Sequence, residues 1–126
     1  MIRGLGMDVV EVGRIARLLD GPPGVAGRFL ARVFTAGEQA DCAGRHGRAA
    51  SLAARFAAKE AAVKALGAPP GVRWTDVEVV RGEGPPRLVL AGVARAAAAA
   101  RGVTGTHLTL THDAGVAAAT VILEGP

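Results

Sequence analysis

Residues 49–70, AASLAARFAAKEAAVKALGAPP, hold the longest regular hydrophobic pattern in the chain. Leu52, Phe56, Val63 and Leu66 recur at intervals that put side chains on one side of a helix, and Gly67 followed by Pro69 and Pro70 stops it. The spacing predicts a helix over residues 49–66. Beyond it the helical period gives way to two-residue alternation: Trp74 to Val80 reads as a strand, Gly82 to Pro86 as a turn, and Arg87 to Leu90 as a second extended segment. Ala91 to Arg101 predicts a helix ending at Gly102. His107 to Thr111 and Val116 to Leu123 then pair as strands around a turn at Asp113 to Gly115.

Toward the N-terminus, Ile2 to Met7 alternate as a short strand whose glycines suit close backbone packing. Asp8 ends it in this reading. The D-x-x-E run of Asp8 to Glu11 resembles a capping box, and Val12, Ile15, Leu18 and Leu19 follow at helical spacing, so a helix is expected over residues 9–19. Gly21 to Gly24 interrupts the chain, Phe29, Leu30 and Val33 mark a short helix, and Thr35 to Glu38 offers a second capping-box start. The order is strand, helices, two strands, helix, two strands, with no repeat. It predicts a single α+β domain over residues 1–126, with helices packed on a small antiparallel sheet.

A chain of 126 residues with 50% hydrophobic side chains is long enough to bury one core. Its 15 Lys and Arg against 11 Asp and Glu give a net charge of +4, which favours nucleic acid, phosphorylated ligands or an acidic protein as partners. Trp74 and three Phe, with no Tyr, supply a base-stacking surface poorly, so nucleic acid is not expected. Cys42 stands alone, which excludes an intramolecular disulfide and a cysteine-built zinc site. The first residues carry Arg3, Asp8 and Glu11 without an apolar run, and no segment is apolar for long enough to span a membrane. A soluble, cytoplasmic protein is expected.

Two carboxylates draw attention. Asp8 serves either as a helix N-cap or as a ligand for a hard cation, and Glu60 either pairs with Lys64 one turn on or faces a metal while Lys64 meets a phosphate. Arg55, Lys59, Glu60 and Lys64 together suit a metal-bridged phosphate site and equally suit a solvated helix. His107 and His112 fall on opposite faces of their strand, so a shared metal site is not expected. No Gly-rich phosphate loop, nucleophile elbow or H-E-x-x-H segment occurs.

GLGMDVVEVGRI at 4–15, FLARVFTAGE at 29–38, RFAAKEAAVKALG at 55–67 and HLTLTHD at 107–113, taken in this order, resemble the holo-(acyl-carrier-protein) synthase family over nearly the whole chain. The resemblance implies the 4′-phosphopantetheinyl transferase fold and Mg²⁺-dependent transfer of the phosphopantetheine arm of coenzyme A to a serine of apo-acyl carrier protein. The other product is 3′,5′-ADP, and the holo-carrier serves fatty-acid or polyketide synthesis. Asp8 and Glu60 match the family's magnesium carboxylates. Lys64 matches the lysine beside the pyrophosphate, where it either stabilises the transferring group or assists serine deprotonation. Arg55, Lys59, Lys64, His107, Thr111 and His112 match positions lining the coenzyme A site, and Arg14 and Arg17 match a docking patch for an acidic carrier helix. The resemblance further implies a homotrimer with active sites between subunits. Two departures stand out: the family's G-K-P turn is Gly84, Pro85, Pro86, and Val116 replaces a common aromatic.

Overall fold

The computed structural model describes residues 1–126. Strand β1 (Ile2–Glu11) leads into helices α1 (Val12–Leu19), α2 (Pro23–Val33), α3 (Ala36–Cys42) and α4 (Arg48–Ala65). A 3₁₀ turn (Trp74–Asp76) precedes strands β2 (Val77–Val80) and β3 (Arg87–Leu90), helix α5 (Gly92–Ala100), and strands β4 (Gly105–Asp113) and β5 (Val116–Glu124). The sheets are antiparallel: β1-β5-β4, and a separate β2-β3 hairpin. The α+β architecture is the one expected from the order of periods. No helix is long and apolar enough to cross a membrane.

Helix α4 lies directly on the three-stranded sheet, and small residues on both sides make this approach possible. Ala57, Ala58, Ala61 and Ala65 are buried. A Cβ on Gly6 would stand 1.9 Å from the Ala61 carbonyl oxygen, and one on Gly4 would stand 2.2 Å from that of Ala65. Backbone therefore meets backbone between α4 and β1. Ala117, Ala119, Val121 and Leu123 of β5 complete the buried side of the sheet. Its opposite face carries Leu5, Met7 and Val9, each more than half exposed at 64%, 63% and 57%.

Three local expectations are corrected. Asp8 does not cap a helix: residues 8–11 stay extended and pair with Ala119 to Val116, so α1 begins only at Val12. Ladder hydrogen bonds to β5 outweigh the local capping pattern. Pro23, read as part of a breaker, opens α2, because its fixed φ and missing N–H suit the first helical position. Trp74 to Asp76 forms the 3₁₀ turn rather than the start of a strand, with the Asp76 carboxylate accepting from the Arg73 amide at 3.1 Å. The Thr35–Glu38 capping box forms as expected, with reciprocal bonds of 3.1 and 3.0 Å.

Candidate active site

The close contact of Gly6 with Ala61 sets Asp8, two residues along the same strand face, against Glu60, the neighbour of Ala61 on α4. Lys64, one turn further, reaches across to the strand: its ammonium donates to Asp8 Oδ1 at 2.9 Å and to the Met7 carbonyl at 3.1 Å. The lysine is thus paired with Asp8. Asp8 Oδ2 is buried with no lysine, arginine or backbone donor, and the adjacent Glu60 carboxyl, once protonated, can donate to Asp8. Burial works to raise the Asp8 carboxyl, but hydrogen bonding with Glu60 and with Lys64, together with the lysine charge, holds it below its usual value. Burial, aided by the hydrogen bond and charge of Asp8, pushes Glu60 up to about 7. The bond to Asp8, reinforced by its charge, raises the Lys64 ammonium.

Two carboxyls crowded together, one with an orphaned oxygen, suit a hard divalent cation. No cluster of three or more His, Cys, Asp or Glu side chains occurs. Mg²⁺ needs no such cluster, since it commonly takes one or two carboxylates and completes its shell with water and substrate phosphate.

A pH dependence follows for the cation-free protein. Glu60 is raised from 4.5 to about 7, so the stability it contributes is present below pH 4.5 and lost as pH rises through about 7. Asp8 acts in the opposite sense, stabilising above its ordinary 3.8 and losing that on acidification through its lowered pKa. Thermal unfolding in chelator is expected to show a decline in stability between pH 4.5 and about 7 that Glu60→Gln removes. An unchanged decline in the variant would assign it elsewhere.

A second feature is a cleft of about 290 Å³ between α4, the β2–β3 hairpin and β4. Arg55, Thr111 and His112 line it, as the sequence led us to expect. Arg81, Pro85 and Pro86 line it too. Arg81 was missed, although its place beside the Gly82 to Pro86 turn could have signalled it. Arg55 is largely committed: its guanidinium meets Asp41 at 2.7 Å and the Ser51 carbonyl at 3.2 Å, while its buried Nε lacks a partner. Asp8, Glu60 and Lys64 are not among the residues lining this cleft.

Besides Lys64, two more of the expected coenzyme residues lie elsewhere. Lys59 is buried in the core, with its ammonium 2.6 Å from Glu38 and donating to the Trp74 carbonyl at 3.1 Å, so it is not available to line a ligand site. Burial lowers its pKa against the opposing charge of Glu38. His107 sits on the outer sheet face, 3.1 Å from Glu124, while His112 faces the cleft, so the two are on opposite faces as their spacing required. Arg14 and Arg17 are exposed on α1. Arg17 is the nearer to Glu11, at 3.4 Å, and the Arg14 charge acts on Glu60.

Residues 4–119 match the 4′-phosphopantetheinyl transferase superfamily. A holo-[acyl-carrier-protein] synthase of Anaeromyxobacter sp. (strain K) is 66% identical, covering 99% of this chain and 98% of the relative. The crystal structure of a holo-(acyl-carrier-protein) synthase from Bacillus anthracis in complex with CoA (3′,5′-ADP) superposes with a TM-score of 0.79 at 33% identity, covering 100% of this chain and 99% of the other. Holo-ACP-synthase from Plasmodium yoelii gives a TM-score of 0.84 at 25% identity, covering 100% and 97%.

Proposed function

Because this chain belongs to the 4′-phosphopantetheinyl transferase superfamily, we propose that residues 1–126 act as one domain that transfers the 4′-phosphopantetheine arm of coenzyme A to a serine of apo-acyl carrier protein. The products are holo-carrier protein and 3′,5′-ADP. The observation that carries this reading is the packing of Asp8, Glu60 and Lys64 into one cluster, with the family's sequence pattern around each. Asp8 and Glu60 would hold Mg²⁺, which would supply positive charge against the pyrophosphate and the phosphoryl group in transfer. In the cation-free protein the bond and charge of Asp8 favour the ammonium form of Lys64, which supports electrostatic stabilisation over removal of the serine proton as its role. The serine oxygen attacks the phosphorus bearing the pantetheine arm and gives up its proton to solvent water, the bond to the 3′,5′-ADP oxygen breaks, and no covalent enzyme intermediate forms. Release of 3′,5′-ADP from coenzyme A is expected to require both apo-carrier and Mg²⁺; release that ignores the carrier would argue for a hydrolase instead.

The cleft holding Arg55, Arg81, Thr111 and His112 takes the nucleotide end of coenzyme A, with Arg81 supplying the cation that Pro85 removes from the turn. Cleft and carboxylate cluster come together between subunits of a homotrimer. Support comes from Leu5, Met7 and Val9, an exposed apolar row across the outer sheet face, beside which β5 and β4 place Ile122 and His107 in register with Leu5. Met7→Asp is expected to yield monomers by sedimentation and to abolish transfer. A trimeric Met7→Asp protein would move the interface elsewhere.

Arg14 and Arg17 dock the acidic carrier. Arg14→Glu is expected to raise the carrier KM while leaving the coenzyme A KM unchanged, most visibly at low salt, because it sets like charges across the interface. Carrier kinetics equal to the wild type at low salt would exclude Arg14 from docking. The setting is the cytoplasm, in service of lipid synthesis.

A further inference from the structure

Strand β2 pairs on one edge only, with β3. Buried backbone groups on the other edge need partners, and two side chains supply them in place of a third strand. The Lys59 ammonium donates to the Val77 carbonyl at 2.5 Å, and Glu38 Oε2 accepts from the Val79 amide at 3.0 Å. Glu38 Oε1 closes the ring at 2.6 Å from Lys59. Next to it, the Thr35 hydroxyl donates to the Glu78 carboxylate at 2.5 Å. Lys59 and Glu38 are 0% and 1% exposed, so this donor–acceptor pair is wholly interior.

An apolar side chain of similar volume fills such a space at little cost to stability, and often with a gain, so a buried ion pair is poorly explained by stability alone. What an apolar residue cannot do is satisfy one carbonyl and one amide of the same strand. The pair fixes the register of β2 against α4, and β2 carries into the Arg81 to Pro86 turn that walls the cleft opposite Arg55.

We propose that Lys59 is a positioning residue: through Val77 and with Glu38 it docks the β2–β3 hairpin onto α4, holding the two walls of the cleft at the separation that the nucleotide end of coenzyme A requires. The inference rests on the reading of that cleft given above. It replaces direct contact of Lys59 with coenzyme A by an indirect role.

The probe is 3′,5′-ADP, titrated calorimetrically into the full chain. Lys59→Met is expected to raise its Kd on the order of tenfold, since small misplacements of binding groups are costly. Glu38→Gln, which keeps the shape of the side chain and serves if Lys59→Met does not fold, is expected to raise it less. Both should speed amide exchange in residues 77–90 selectively, and raise the coenzyme A KM while leaving the carrier KM alone. Leu123→Ala, a core truncation far along β5, gives a destabilised control whose Kd should stay at the wild-type value. Hub variants that bind 3′,5′-ADP normally, or a control that weakens binding equally, would overturn the positioning role. A wild-type protein that does not bind 3′,5′-ADP would instead overturn the coenzyme reading of the cleft, and this inference with it.

Discussion

Alanine in place of Asp8 or Glu60 is expected to lower transfer about 10³-fold or more at saturating Mg²⁺, with the fold intact. The magnitude is that of removing a preorganised electrostatic group from a reaction whose catalysis is mostly charge stabilisation and positioning. Folding should be almost indifferent to Asp8→Ala. The residue is not a helix cap, and its ion-pair partner Lys64 is largely exposed, so solvent screens the pair and its loss should matter little to stability. Removing it also relieves Glu60 of a crowding negative charge, so the Glu60 carboxyl should titrate at lower pH in the variant. Single-turnover assays paired with thermal melts separate the two effects. Near-normal turnover in either folded variant would remove that carboxylate from the cation site.

Gly6→Ala should have the largest structural effect of any single methyl addition in the chain. The new Cβ would lie 1.9 Å from the Ala61 carbonyl oxygen and 2.9 Å from the Ala65 nitrogen, both backbone atoms that no rotamer change can clear. Strand and helix must part, and overpacking of this kind costs typically ~1–3 kcal/mol and occasionally more; backbone on both sides puts this case at the upper end. Because Asp8 and Glu60 are carried by the two elements forced apart, transfer should fall with stability. Gly27→Ala on α2 is the contrast: nothing lies within 4 Å of its Cβ, and replacing glycine inside a helix should stabilise by ~0.5–1 kcal/mol. Denaturant unfolding of both variants checks the pair. A Gly6→Ala protein as stable as wild type would mean that the α4–β1 contact is looser than described.

The uneven legibility of the sequence has physical causes. Helix α4 was readable because its apolar spacing and its Gly–Pro stop are local signals, and the antiparallel β4–β5 pair because alternation and a turn are adjacent in the chain. Asp8 was misplaced because D-x-x-E is a local pattern, whereas the ladder that keeps residues 8–11 extended comes from β5, more than a hundred residues away in sequence. Lys59 was misplaced for the same reason. On the helix it looks like one cation among several, and only tertiary packing brings Glu38 and the free edge of β2 to it. The outer face of the sheet was legible as alternation in β1, but nothing local distinguishes Leu5, Met7 and Val9 from core residues. Composition and spacing narrowed the chemistry to a basic protein with two notable carboxylates; the motif resemblance was needed to connect them to coenzyme A.

The most direct test is mass spectrometry of apo-acyl carrier protein after incubation with this protein, coenzyme A and Mg²⁺. A gain of about 340 Da on the carrier serine is expected, the mass of the arm delivered by phosphoryl transfer, and it should vanish with Glu60→Ala or with chelator. An unmodified carrier in the presence of folded wild-type protein and intact coenzyme A would contradict the transferase account.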